Sequence, residues 1–572
     1  MATARRKAVV KGKPERKPSK APPRKLGRKR KPTVKGKAQR KPSKAAGKLP
    51  GAPIKRASAQ QSSIESRPAI QFTGQPGARR MILLPANRSL RATASKTQSF
   101  LRSLVGYAPA TAMTTAGPAG VRMRVLDSIH EDGAKLVEID VGEISKLRAT
   151  QPGLVVAPEV FFHVAVDVQR VQKVATVAAF TRGISGTIAI TVVSSTNTQP
   201  VEGANVVAFT DFANKVGNSG KTDNNGVVQM TLPSVPTLER LYVYPESSYW
   251  GALQLNVATA NNMQVKLDPI DFSARDGLRY FAHAGAASDG GGVKVAIIDT
   301  GVALHHPDLH LAGGECTVSG ESPNDFGPLG GDHGTHCAGI VAARGAPPTG
   351  ARGVAPGADI YSFRVFPTAT PQNPEPRASS FDIAKAIDRA YELGCDILNL
   401  SLAGGDPDPT TEAAIQDARS AGAIVIAAAG NDGRQPVSFP ASDSLCVAVS
   451  ALGRKGLFPA GSVDEGEVAP PSGADPDNFI AAFSNVGPEI RLTGPGVGIV
   501  STVPEAAYAV MSGTSMATPA ISGLAARLLS QNPQLLNATR DANRADALVK
   551  LLLASAKDMG FPATLQGQGL PS

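Results

Sequence analysis

From about residue 275 onward, short unbroken apolar runs alternate with amphipathic stretches. "VKVAIID" (293–299), "DILNLSL" (396–402) and "AIVIAAAG" (423–430) are almost entirely apolar, as strands buried on both faces of a parallel sheet should be. Between them, "SSFDIAKAIDRAYELG" and "TTEAAIQDARSAG" carry their apolar residues at helical spacing. This pattern predicts an α/β domain over residues 275–560 with a mostly parallel sheet. Such a sheet places its chemistry at the carboxyl ends of its strands.

Two smaller patterns precede it. Over 78–168, "RRMILLPA", "SKTQSFLRSLVG", "VRMRVLDSI", "GAKLVEIDV", "GEISKLRATQPG" and "LVVAPEVFFHVAV" read as strand, helix, hairpin, helix and strand, a βαββαβ order. Over 180–268 the chain changes to short strands separated by turn signals, among them "TDNNG" (222–226), which predicts a small all-β sandwich. This last stretch resembles the prealbumin-like modules related to carboxypeptidase regulatory domains, through "PVEGANVVAFT" followed by "TDNNG". Such modules pack or bind and do not catalyse. The expectation is a multidomain chain.

Composition changes this picture in one place. Residues 1–57 hold 22 of the 60 Lys and Arg but only one acid, Glu15, which leaves the remainder with 38 bases against 46 acids. The formal charge of +13 therefore describes a basic tail on a mildly acidic body. Residues 1–60 are of low complexity, with "RKPSKA" at 16–21 and again at 40–45, and are expected to be disordered. The tail suits a solvated linker or an arm for nucleic acid or other polyanions. No aromatic residues interleave with its charges, so base stacking is not supported.

Four cysteines, Cys316, Cys337, Cys395 and Cys446, are too few for a disulfide scaffold and show no metal-type CxxC spacing. Their pairing is not fixed by the sequence; Cys337 and Cys395 are expected to act as small buried hydrophobes. No apolar run approaches ~18 residues, so no transmembrane helix is expected. No apolar segment follows the basic N-terminus as in a Sec-type signal. The compartment stays open: intracellular, or exported by another route.

Four polar residues stand where a parallel sheet would use them. Asp299 ends the apolar run "VAIID", His333 opens the helix "HGTHCAGIVAAR", Asn431 follows "AIVIAAAG", and Ser515 in "GTSMATP" opens the last long apolar helix. Ser515 would attack a carbonyl, and His333 would carry the proton. Asp299 would hold the imidazole tautomer. The Asn431 amide and the Ser515 backbone N–H would donate to the oxyanion. A metal site built from His333, His336, His305 and His306 is not needed to explain these residues, and His336 reads as structural.

"AIIDTGV", "HGTHCAG", "ILNLSLAGG", "AAAGN" and "GTSMATP", in the order Asp, His, Ser, resemble the subtilisin family of serine peptidases over about 285 residues. The resemblance implies a serine endopeptidase acting on polypeptides without a catalytic cofactor. It implies that Ser401, Leu402, Ala403 and Gly404 form one wall of the substrate groove, where a peptide adds as a strand. It also implies that residues 78–168 are an inhibitory prodomain whose last strand lies in the cleft, and that the protein is made as a zymogen. Cleavage is then expected within 164–183, which would leave the sandwich on the mature enzyme; the competing zone is "DPIDFSARDGLRYFAHAG" (268–285), where a cut would release the sandwich with the prodomain. Asp308 in "HHPDL" matches a carboxylate that often binds calcium in the family, but the completing loop, "RGAPPTGARGVAP", offers no Asn or Asp. Residues 453–479 read as a surface insertion of Gly, Pro and acids. The alternatives are a peptide ligase or cyclase using the same residues, and a catalytically silent polyanion-binding protein.

Overall fold

The computed structural model describes residues 77–105, 120–174, 186–232, 236–283 and 285–572. The tail over 1–60 and residues 175–183 of the expected cleavage zone lie outside the described residues. Thr73–Ser572 form one compact unit.

The chain begins with β1 (Ala78–Pro85), α1 (Ser95–Val105), β2 (Met123–Ser128), β3 (Lys135–Asp140), α2 (Ile144–Thr150) and β4 (Leu154–Pro158). Its four strands form a sheet in the order β2-β3-β1-β4, antiparallel throughout. Alternate residues of β1 serve two cores, as strand periodicity requires. Met81 and Leu83 pack with Leu101, Val137 and Leu147 of this unit. Ile82 and Leu84 pack outward with Phe381, Ile383, Ala414 and Ala418 of the following α/β domain. Polar contacts frame that seam. The Asp417 carboxylate accepts from Ser89 Oγ (2.9 Å) and the Leu90 N–H (2.8 Å), and Lys385 Nζ pairs with Asp127 (2.9 Å).

The stretch 154–166 departs from the single strand expected of it. The sheet strand stops at Pro158, which has no N–H with which to continue a ladder. The chain then leaves the sheet, and β5 (Phe161–Val164) pairs with the α/β domain instead.

The next unit contains β6 (Lys173–Val174), β7 (Gly186–Ser194), β8 (Asn205–Asp211), β9 (Val216–Lys221), β10 (Val227–Leu232), β11 (Thr237–Tyr244), β12 (Ala252–Ala258) and β13 (Asn262–Leu267). One sheet runs β10-β7-β13 and the other β12-β11-β8-β9-β6. Their inner faces share a core of Ile190, Val192, Val206, Leu238, Leu241 and Val265. This unit is bonded to the α/β domain through Ser248 N–H to the Tyr508 carbonyl (2.8 Å), Leu253 N–H to the Gly461 carbonyl (2.8 Å) and Val463 N–H to the Gly251 carbonyl (3.2 Å).

In the α/β domain, α3 (Gly277–Phe281) precedes β14 (Lys294–Asp299), β15 (Leu311–Cys316), α4 (His333–Ala342), β16 (Asp359–Arg364), β17 (Ala378–Ser379), α5 (Ser380–Glu392), β18 (Ile397–Leu400), β19 (Leu402–Ala403), α6 (Pro409–Ser420), β20 (Ile424–Ala428), β21 (Cys446–Arg454), β22 (Asn478–Ile480), β23 (Ile490–Pro495), β24 (Ile499–Val503), β25 (Ala507–Met511) and α7 (Thr514–Ser530). The main sheet runs β15-β16-β14-β18-β20-β21-β22, with β23 also on β21. Its pairs are parallel except β21–β22. Helices α4 and α7 pack on one face with Ile297, Ile426 and Val449. Helices α5 and α6 pack on the other with Ile298, Leu398 and Val425. All four cysteines are free and buried.

Candidate active site

The carboxyl ends of β14 and β20 and the amino ends of α4 and α7 converge. Asp299 is the last residue of β14 and is fully buried. Its Oδ1 accepts from the Thr300 N–H (2.7 Å) and lies 2.8 Å from His333 Nδ1. A carboxylate can only accept, so Nδ1 carries the proton and Nε2 is left with its lone pair. Burial disfavours a charged His333 ring, but the Asp299 carboxylate, followed by the Cys337 sulfur, favours it, and the imidazole pKa is raised well above the ordinary 6.5. Cys337, one turn along α4, has its thiol pKa pushed up by burial and stays a neutral neighbour of the ring.

Ser515 is buried in the first turn of α7. It is not the helix cap; Gly513 holds that position. Pro519, four residues on, has no N–H to give to the Ser515 carbonyl. That carbonyl accepts instead from Ser401 Oγ (2.9 Å), which ties the helix start to the end of β18. Ser515 Oγ donates to the Ser401 carbonyl (2.9 Å), and no hydrogen bond joins it to His333 among the described residues. Such bonds often form only when substrate is committed to reaction.

Asn431 follows β20. Its Oδ1 accepts from the Thr514 N–H (3.0 Å) and Thr514 Oγ1 (2.8 Å), which fixes the amide plane. The opposite edge, Nδ2, donates to the carbonyl of Ala165. The Ser515 N–H donates to that same carbonyl (3.3 Å). Two donors from different elements therefore converge on one peptide oxygen of the chain itself.

The segment carrying that oxygen lies as an added strand. β5 pairs antiparallel with β19, Val164 opposite Leu402 and His163 opposite Ala403, and the Ala165 N–H donates to the Ser401 carbonyl (3.3 Å). On its other edge, Phe162 lies opposite Ala378 and Phe161 opposite Ser379 of β17. Sequence reasoning missed this second wall, since a two-residue strand leaves no periodicity to read. Gly404, at φ +95°, lies under the His163 ring, where an added Cβ would come within 2.6 Å. A Cβ on Gly513 would stand 2.5 Å from the Ala165 oxygen, so glycine leaves room for the carbonyl there. Past Ala165, the Asp167 N–H donates to the Ser512 carbonyl (2.8 Å) and the Gln169 N–H to Tyr244 Oη (3.1 Å), leading the chain to the sandwich.

Among the described residues, His305, His306 and His336 do not form a ligand group with His333. His336 is fully buried, with Nε2 facing the carbonyls of Ile499 (3.1 Å) and Ala509 (3.2 Å), and burial drives its pKa down to about 3. His306 Nε2 faces the Ala507 carbonyl (3.1 Å). The Asp308 carboxylate accepts from the Ala351 N–H (2.8 Å) and Tyr508 Oη (2.7 Å). It is not grouped with two further His, Cys, Asp or Glu ligand atoms among the described residues. Its role here is to tie the loop before β16 to β25. No described helix is long and apolar enough to cross a membrane.

The sequence model of the subtilase family matches residues 290–570. Subtilisin BL and Subtilisin Savinase, both of Lederbergia lenta, are each 37% identical over 248 residues, 43% of this chain and 80% of theirs. Subtilisin DY of Bacillus licheniformis is 36% identical over 259 residues, 45% of this chain and 82% of its own.

Proposed function

The chain belongs to the subtilase family of serine endopeptidases, and from that premise we propose that it hydrolyses polypeptides through Asp299, His333 and Ser515 and is made as a zymogen that cuts itself between Ala165 and Val166. The observation that carries this reading is the Ala165 carbonyl held by both Asn431 Nδ2 and the Ser515 N–H. It makes residues 78–165 an inhibitory prodomain and leaves the sandwich on the mature enzyme.

Ser515 Oγ turns from the Ser401 carbonyl toward His333 Nε2 and attacks the Ala165 carbonyl carbon as Nε2 takes its proton. The carbonyl oxygen becomes an oxyanion held by the two donors already aimed at it. Such donors act without reorganisation at the moment charge develops. Asp299 keeps the ring oriented and stabilises the imidazolium. Collapse expels the Val166 amine, which takes the proton from Nε2. Water then repeats the sequence on the acyl-enzyme, returning the serine and releasing the new carboxylate.

The protonation of His333 tests this assignment. The base must be neutral, and its pKa is raised, so kcat/KM for peptide hydrolysis should climb with pH above the ordinary histidine value and level off on the alkaline side. Asp299→Asn should lower the plateau by about 10⁴ and move the rising limb to lower pH, since the raising charge is gone. A limb at or below the ordinary value in the wild type, or one that Asp299→Asn does not move, would contradict the assignment.

A further inference from the structure

Beyond the bond presented to Ser515, the chain runs past the Ser512 carbonyl toward the sandwich. Asp167 is the second residue past that bond. Its N–H is fixed on the Ser512 carbonyl (2.8 Å), and its side chain lines a cavity of about 200 Å³ with Asp464, Glu467, Met511 and Tyr244. Five of the residues lining this cavity carry carboxyl groups, the rim being completed by Glu246 and Asp332, and none is Lys or Arg.

We propose that Glu467 and Asp464 form the subsite for the second residue after the scissile bond and select a cationic side chain there in substrates supplied in trans. The proposal rests on the reading that Ala165–Val166 is the bond presented to Ser515. It stands on a polypeptide seated in the subsite and on how the two acids are held, not on their number. Ser512 links backbone docking to the acids: its carbonyl takes the Asp167 N–H, and its Oγ donates to Asp464 Oδ1 (2.5 Å) while accepting from the Gly498 N–H (2.8 Å). Asp464 Oδ2 accepts from Ser462 Oγ (3.2 Å), and Glu467 Oε2 from the Phe483 N–H (3.1 Å). Both carboxylates are thus held by groups other than the Asp167 side chain.

The occupant supplied by the chain itself is the wrong charge for them. Burial, then the neighbouring Asp167, pushes Glu467 up to about 8. Burial pushes Asp167 up to about 6 and raises Asp464 too. At the rim, Lys221 pairs with Glu246 (2.6 Å) and its charge reaches Asp332. Arg170 lies in the stretch that becomes the new N-terminal segment of the mature enzyme and pairs with Glu375 (2.8 Å). Lys215 of the sandwich is drawn to Gln169 Oε1 (2.8 Å) and to the Phe212 ring. Arg434 faces Glu467 from the loop after β20 and donates to the Ile480 carbonyl (2.6 Å). Burial raises the phenols of Tyr242 and Tyr244, which remain neutral. Asp167 is accommodated because the acids share protons. A Lys or Arg in its place would pair with ionised carboxylates, relieving the burial of uncompensated charge. This makes the self-cleavage sequence a poor competitor once cut.

The test uses the matured enzyme and quenched fluorescent peptides with Ala before the bond, Val after it, and Lys, Gln or Asp next. At about pH 9, where carboxylates ionise even when their pKa is raised, kcat/KM should favour Lys over Asp by roughly 10–100-fold. The Lys-to-Gln ratio, in which His333 ionisation cancels, should fall toward one at about pH 5, as the acids protonate. Glu467→Gln and Asp464→Asn should each remove most of the Lys preference. Equal cutting of the three peptides, or a Lys preference that survives both substitutions, would overturn the subsite alone. Failure to cut any of them would overturn the underlying peptidase reading and the subsite with it.

Discussion

Ser515→Ala should reduce peptide hydrolysis by about 10⁶ in turnover, the loss known for a subtilisin nucleophile rather than a value taken from this geometry. The reason lies in how few groups can replace it. Ser515 is buried at the start of α7 with its N–H on the Ala165 carbonyl. Cys337 faces the His333 ring at 3.9 Å through Sγ, but burial keeps it a thiol, and no bond joins it to the Ala165 carbonyl among the described residues. The two oxyanion donors survive the substitution, so weak residual hydrolysis above the uncatalysed rate should persist. Steady-state kinetics on a peptide substrate reads this directly. Retention of more than about a hundredth of wild-type turnover, far above what donors alone supply, would mean that another residue attacks.

Asn431→Ala should cost about 10²–10³ in kcat, again the magnitude established for such a donor in a subtilisin. KM should change little, because the strand pairing with β17 and β19 that holds the substrate does not involve Asn431. The fixed amide plane strengthens this expectation. Thr514 donates twice to Asn431 Oδ1, so Nδ2 is aimed without cost during reaction. Asn431→Asp keeps the Oδ1 contacts but replaces the donor with an acceptor, and should be at least as damaging as alanine. Wild-type kcat in Asn431→Ala would displace the oxyanion from this position.

Much of the α/β domain was legible because buried parallel strands write themselves as apolar runs. Asp299 and Asn431 stood out as polar residues directly after such runs, in a place packing does not explain. Ser515 was conspicuous by the small residues around it. What the sequence did not reveal depends on contacts between distant segments. The "LVVAPEVFFHVAV" stretch looks like one strand, yet Pro158 divides it between two sheets. The wall at Ala378–Ser379 is too short to carry a pattern. Asp464 and Glu467 lie in a stretch whose Gly, Pro and acids suggest an exposed insertion, yet Asp464 is buried and Val463 beside it packs against the sandwich. The Ser515 hydroxyl direction depends on the Ser401 carbonyl 114 residues away, which no local pattern encodes.

The central claim is that the bond after Ala165 is presented to Ser515 and cut by it. N-terminal sequencing of the fragments that accumulate from the wild-type chain and from Ser515→Ala, expressed in parallel, tests it most directly. The account predicts a wild-type fragment beginning at Val166 that contains the sandwich and the α/β domain, and a Ser515→Ala chain left uncut at that bond. A wild-type fragment beginning near residue 275, with the sandwich discarded, or cleavage after Ala165 in the Ser515→Ala chain, would contradict it.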